Sequence, residues 1–195
     1  MARIEPIPWD ALPARSRAML EEGMASGMYT TPVPMQVVAY SSVALEAMHA
    51  SYTATFRRGL LEPRLVELLR LHSAQSGACA PCATSRKDES VTEDDVACLV
   101  DVEGDRFDAR ERAALRFFDD LASDHHRIDG DYLRDLHEIF SVAEIVELGY
   151  LCGMFLGGHR FLHTLGVLGD EPPVLTYDPI EVDRSRAGDA ALEPS

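Results

Sequence analysis

The stretch LGYLCGMFLGG, Leu148 to Gly158, constrains this chain more than any other, because it is apolar on nearly every face. Ser141 and Glu144 stand ahead of it as a capping box, so a helix from Val142 to about Leu165 is predicted, with Gly166 ending it. A helix with so little polar surface is buried on all sides, by the rest of the domain or by a second subunit. The run is too short to span a bilayer, which takes roughly 20 apolar residues.

The rest of the chain has to supply what surrounds that helix, and its pattern is helical throughout. Alternating runs of β-branched and aromatic residues are scarce. Pro13 to Gly27 reads as a first amphipathic helix, and a turn through Thr30, Thr31, Pro32 and Pro34 leads to a short one near Val37. Ser41 or Ser42 caps a helix running to about Phe56. Pro63 opens the next at the position where its missing N–H costs nothing, and Gly77 is expected to close it with a left-handed cap. A new helix is predicted around Ala78. Thr92 with Asp95, then Asp108, then Asp129 or Asp131 mark three further starts. The fold class is all-α, a helical bundle. Residues 1–170 read as one domain, with Trp9 pinning the N-terminal segment. Residues 171–195 form a tail rich in proline and charge, partly extended at Val174 to Val182 and disordered at its end.

Charge removes whole classes of function. Lys and Arg total 18 against 33 Asp and Glu, a formal charge of −15 over 195 residues. Such a surface repels phosphate backbones and anionic lipids, so neither nucleic acid nor membrane is an expected partner. The opening MARIEPIPWDALPARS has no apolar stretch like that of a secretory signal, and a cytoplasmic location is expected.

In that compartment four cysteines are not a disulfide framework. Cys98 and Cys152 sit singly in apolar helical patterns and read as core. Cys79 and Cys82 form a C-x-x-C pair after Gly77, at the predicted start of a helix, where free N–H groups favour a thiolate. Two thiols at this spacing can close into a disulfide after one is oxidised to sulfenic acid. The pair is also half of a zinc site, but no second Cys or His pair follows at finger spacing. The one H-x-x-x-H, His159 with His163, stands far along the chain. Nothing calls for a bound metal or cofactor.

Glu67 has Arg64 and Arg70 three residues to either side, the spacing of a solvated ion-pair stripe. The acidic run Asp88, Glu89, Glu93, Asp94, Asp95 reads as a solvated face, and His125 and His126 lie in a loop.

Glu67, eleven residues, then Cys79-x-x-Cys82 resembles the core of the alkylhydroperoxidase D-like branch of the carboxymuconolactone decarboxylase superfamily. LLEPRLVELLRLHSA, FDARERAALRFFDDLASD and SVAEIVELGYLCGMFLGGHRFLHTLGV resemble that family's successive helices, so the likeness covers roughly residues 30 to 168. It implies an all-α fold assembling as a homo-oligomer. It further implies that Cys82 is peroxidatic, Cys79 resolving and Glu67 the acid–base group, with a hydroperoxide as substrate and a dithiol carrier such as a lipoyl protein as reductant. The chain departs from the motif at position 86, which is Arg where the family has His, and at Pro81. Arg86 cannot shuttle a proton as imidazole does, but it can hold the Cys82 thiolate by charge or pair with Glu67. His72 and His163 are candidate substitutes for the missing relay. The alternatives are a lyase of the decarboxylase branch, working by acid–base chemistry, and a redox-sensing oligomer without turnover.

Overall fold

The structure is a computed structural model that describes residues 2–167, apart from the side chains of Ala80 and Pro81. The predicted tail at 171–195, with Val174 to Val182, lies outside the described residues. Among those described, every regular element is helical: α1 (Ala14–Ala25), α2 (Val33–Val38), α3 (Ser42–Arg58), α4 (Pro63–Ser76), α5 (Ala80–Thr84), α6 (Glu93–Cys98), α7 (Ala109–Ser123), α8 (Gly130–His137) and α9 (Val142–Thr164), with 3-10 turns at Trp9–Ala11 and His125–Arg127.

Local chemistry sets most of these boundaries. Ser41 caps α3 by accepting from the Ala44 N–H, and Pro63 is the first residue of α4. Thr92 with Asp95, Asp108 with Glu111, and Ser141 with Glu144 each close a reciprocal capping box. Gly27 and Gly166 carry φ of 72° and 63°, the left-handed conformation that ends α1 and α9 at little cost. Trp9 is half-buried against the core, and the Arg3 N–H donates to the Leu165 carbonyl at 2.9 Å, tying the N-terminal segment to the end of α9.

Within the single chain the most apolar helix is not the most buried one. In the single chain α9 buries one face, through Leu148, Leu151, Cys152, Phe155, His159 and Leu162. Val142, Val146, Tyr150 and Phe161 on its other side are 62%, 68%, 56% and 48% exposed. The helix buried all round is α4, from Leu65 to Gln75 without a break. Its leucines pack against α7 and α9, and its polar residues are buried because each has a partner. Glu67 pairs with Arg70, and His72 Nε2 lies 2.7 Å from Asp119 Oδ1 on α7. Ser73 Oγ lies 3.0 Å from His159 Nδ1 on α9, and Gln75 donates to the Val96 carbonyl. Hydropathy ranks α9 above α4; pairing between helices reverses the order.

The acidic run is likewise only partly solvated. Asp95 is 1% exposed and receives Arg64 at 3.1 Å and Arg106 at 2.5 Å. Burial pushes its pKa up, but hydrogen bonds from Arg64, Thr92 and Arg106 outweigh that and hold the carboxyl far below its ordinary range. Arg64 also reaches Glu111 at 2.7 Å, so this cluster joins α4, α6 and α7.

Candidate active site

Helix α4 ends in a Schellman motif that presents the cysteines. The Cys79 N–H donates to the Ala74 carbonyl at 2.9 Å and the Ala78 N–H to the Gln75 carbonyl at 3.1 Å. The left-handed residue is Ala78, with φ 51°, and not the expected Gly77, whose φ is −89°. Gly77 serves a different purpose: a Cβ there would stand 3.0 Å from the His159 Cβ and 3.1 Å from the Ser73 carbonyl oxygen. The glycine lets α9 approach, and the neighbouring alanine takes the unfavourable backbone conformation.

Cys79 and Cys82 are joined as a disulfide, with Cα atoms 5.3 Å apart. They are not equivalent. Cys79 is 0% exposed, whereas Cys82 is partly exposed and lines a cavity of about 70 Å³. The helix expected from about Ala78 starts at Ala80 and includes only Cys82. Five residues carry little macrodipole, so the positive charge near Cys82 comes from side chains. Arg70 and Lys87 both line its cavity. Burial and the neighbouring Arg70 lower the Lys87 pKa, with Glu67 acting in the opposite sense.

Arg70 organises the loop. Its Nε and Nη2 form a two-pronged pair with Glu67 at 2.7 Å each, Nη1 donates to the Cys82 carbonyl at 2.5 Å, and Nη2 also reaches the Ser85 carbonyl at 2.8 Å. The Lys87 N–H completes the set by donating to Glu67 Oε1 at 2.8 Å. Glu67 is therefore no member of a solvated stripe: it is 1% exposed and bound to Arg70, while Arg64 turns to Asp95 and Glu111. Its carboxylate lines a separate cavity with Val66, Lys87 and Asp88, and Arg70 stands between it and the Cys82 cavity.

The other candidates separate from Cys82. Arg86 forms a two-pronged pair with Glu93 at 2.9 and 2.7 Å and donates to the Ala83 and Ser85 carbonyls, so of its two suggested roles the pairing with Glu67 is replaced by a partly exposed surface bridge. The reason is competition: Arg70, on the same helix as Glu67, already fills that carboxylate. His72 is 0% exposed in the α4–α7 seam, edge-on to Phe118. His163 donates from Nδ1 to the Ala78 carbonyl at 3.1 Å, bracing the loop from behind. Cys152 is 0% exposed, and burial raises its thiol pKa far above the ordinary range; Cys98 is half-buried.

The histidine that shares the cavity with Cys82 is His159. It is 3% exposed and stacked on Phe155, and burial, then the Arg70 charge, lower its pKa to about 3. It is neutral at any physiological pH. Tyr29, Tyr52 and Phe56 also line the cavity. The sequence flagged His159 only as half of a metal pair; Gly77, where a Cβ would crowd that of His159, is what links it to the cysteine loop.

No protein-family model matches this chain, and no curated protein does. Solved structures do match. An uncharacterized peroxidase-related protein from Silicibacter sp. TM1040 superposes with a TM-score of 0.70 at 18% identity, covering 86% of this chain and 90% of that one. A second, the alkylhydroperoxidase AhpD core of an uncharacterized peroxidase-related protein from Ralstonia eutropha JMP134, gives 0.67 at 19% identity, covering 87% and 91%. The fold is that of the alkylhydroperoxidase AhpD core. Identity this low carries the AhpD-like architecture and leaves the chemistry to be argued from the residues. Among the described residues, no single helix is long and apolar enough to cross a membrane.

Proposed function

We propose that this protein is a thiol-dependent peroxidase of the AhpD-like kind, cycling between a Cys79/Cys82 dithiol and the disulfide. The observation that carries the reading is the asymmetry of the pair: Cys82 faces a cavity beside Arg70 and Lys87, and Cys79 is sealed behind it. The Cys82 thiolate attacks the terminal oxygen of a hydroperoxide, the O–O bond breaks, and the departing alkoxide takes one proton. Cys82 is left as sulfenic acid and the peroxide as an alcohol. The Cys79 thiol then condenses with it, releasing water and forming the S–S bond. A dithiol reductant returns both electrons by exchange.

Glu67 takes a positioning role here: it fixes Arg70, which holds the Cys82 and Ser85 carbonyls. A cavity of about 70 Å³ suits hydrogen peroxide or a short alkyl hydroperoxide. We further propose that a second copy covers the exposed apolar side of α9 at Val146, Tyr150 and Phe161, next to a shallow groove lined by Met48, Gly153 and Gly157.

The test is consumption of hydrogen peroxide and of a short alkyl hydroperoxide with a dithiol present. Cys82→Ser is expected to lose at least a hundredfold in rate, and Cys79→Ser to stop at the sulfenic acid. Equal rates for the wild type and Cys82→Ser overturn the reading. One reversible disulfide per chain without turnover identifies the sensor instead.

A further inference from the structure

The cavity beside Cys82 has a second wall that the C-x-x-C motif does not explain. Tyr29, in the loop between α1 and α2, is 7% exposed and lines that cavity. Its hydroxyl lies 3.1 Å from His49 Nδ1 on α3, and His49 Nε2 lies 3.4 Å from Glu22 Oε2 on α1. With the imidazole proton on Nε2, on the side of the Glu22 carboxylate, Nδ1 accepts and the Tyr29 O–H donates to it. The side chains of His49 and Glu22 are 12% and 55% exposed, so the row runs from the cavity wall to solvent. Room for the Tyr29 ring is built in, since a Cβ on Gly23 would fall 2.1 Å from its Cδ2.

We infer that Glu22, His49 and Tyr29 form a proton relay serving Cys82, standing in for the histidine absent at position 86. The inference rests on the peroxidase reading. As Cys82 ionises, its proton passes across the cavity to the Tyr29 oxygen while the Tyr29 proton moves to His49, giving an imidazolium against the Glu22 carboxylate. When the O–O bond breaks the same path runs backwards, and the departing alkoxide receives the proton. Charge and hydrogen balance with no further reagent. Tyr29 is the end that meets the reacting atoms; His49 and Glu22 are positioning residues.

The neighbouring groups do not serve as well. His159 from α9 is held neutral by burial and cannot store a proton at neutral pH. Burial, lightly opposed by Arg70, pushes the Tyr52 pKa up to about 12, and no bond from its hydroxyl to a base is seen among the described residues. Burial, then the Tyr52 and Glu22 charges, hold Tyr29 far above a free phenol, so it gives up its proton only while receiving another. Arg57 from α3 stands 3.8 Å from the second oxygen of Glu22, and Arg70 and Lys87 face the cavity from α4 and the loop after α5. The two arginines set the field without moving a proton, and burial, then the Arg70 charge, lower the Lys87 pKa.

The experiment follows the rate of iodoacetamide alkylation of Cys82 against pH in dithiol-reduced protein, by peptide mass, beside peroxide consumption. Tyr29→Phe is expected to raise the apparent pKa of Cys82 by about one unit or more and to slow peroxide turnover at least tenfold. His49→Gln is expected to give the same shift, and the double variant no further shift. Gly23→Ala, which displaces the ring but keeps the hydroxyl, is expected to reproduce it. Profiles of Tyr29→Phe and His49→Gln that superimpose on the wild type overturn the relay, and if one fails to fold the other decides. If the wild type consumes no peroxide the function is wrong, yet the alkylation profiles still judge the relay.

Discussion

The two halves of α4 each anchor an arginine against a buried carboxylate, and they use it differently. In the first turn Arg64 joins Asp95 and Glu111, and Arg106 closes the cluster from the other side of Asp95. That cluster fastens helices α4, α6 and α7. Two turns later Arg70 pairs with Glu67, on its own helix, and turns its remaining N–H groups to the backbone carbonyls of Cys82 and Ser85. The first assembly holds elements together, and the second holds a reactive loop in place. Both begin in the sequence as Arg and Glu three residues apart, so spacing alone does not distinguish a fastening from a site.

The largest effect expected from breaking this comparison is at Arg70. Arg70→Met leaves Glu67, 1% exposed, as a buried carboxylate without its cation. Unfolding in urea should show a loss of roughly 3–5 kcal/mol. Replacing both members, Glu67→Leu with Arg70→Met, should recover much of that stability. The Cys82 and Ser85 carbonyls still lose their donor, so peroxide-driven disulfide formation should stay slow. Full recovery of both stability and rate in the double variant would show that Arg70 only balances a charge.

Asp95 comes next. Asp95→Ala removes the receiving end of Arg64 and Arg106 and half of the α6 capping box. The expected loss is roughly 2–3 kcal/mol, moderated because both arginines are partly solvated. Cys82 reactivity should be unchanged wherever the variant is folded. Because the folded carboxyl titrates below the unfolded one, its contribution is present above about pH 4 and is lost as pH falls further. Wild-type stability should therefore fall more steeply than that of Asp95→Asn on acidification below pH 4, as followed by circular dichroism. Parallel curves would place the acid sensitivity elsewhere.

The same contrast marks what could be read from the sequence. Helix starts at Ser41, Pro63, Thr92, Asp108 and Ser141 were legible because a cap satisfies N–H groups within its own turn. The C-x-x-C pair was legible because its ring closes within four residues. The burial of α4 was not: Glu67, Arg70, His72, Ser73 and Gln75 look like surface until α7, α9 and the cysteine loop supply their partners. Nor were Tyr29, which shares a cavity with Cys82 only in the folded chain, and His49, which reaches that cavity only through Tyr29. Arg86 misled for the complementary reason: the residue at the motif position points to Glu93, and the arginine beside Cys82 is Arg70, twelve residues earlier.

The smallest expected effect, and the sharpest local test of how α4 ends, lies in the adjacent pair Gly77 and Ala78. Sequence habit places the left-handed turn on the glycine, whereas φ is −89° at Gly77 and 51° at Ala78. Gly77→Ala adds a Cβ 3.0 Å from that of His159, an atom on a packed helix that cannot swing away. It should cost about 1–3 kcal/mol by overpacking and weaken the contact that sets His159 beside the cavity. Ala78→Gly has the opposite sign. It relieves about 1–2 kcal/mol of left-handed strain and gives back about half of that as unfolded-chain entropy, for a net gain near 0.5–1 kcal/mol. Neither change touches Arg64 or Asp95, so any shift in Cys82 alkylation should follow Gly77→Ala alone. If Gly77→Ala proves neutral and Ala78→Gly destabilising, the glycine is there for its backbone after all, and α9 does not depend on it for its close approach.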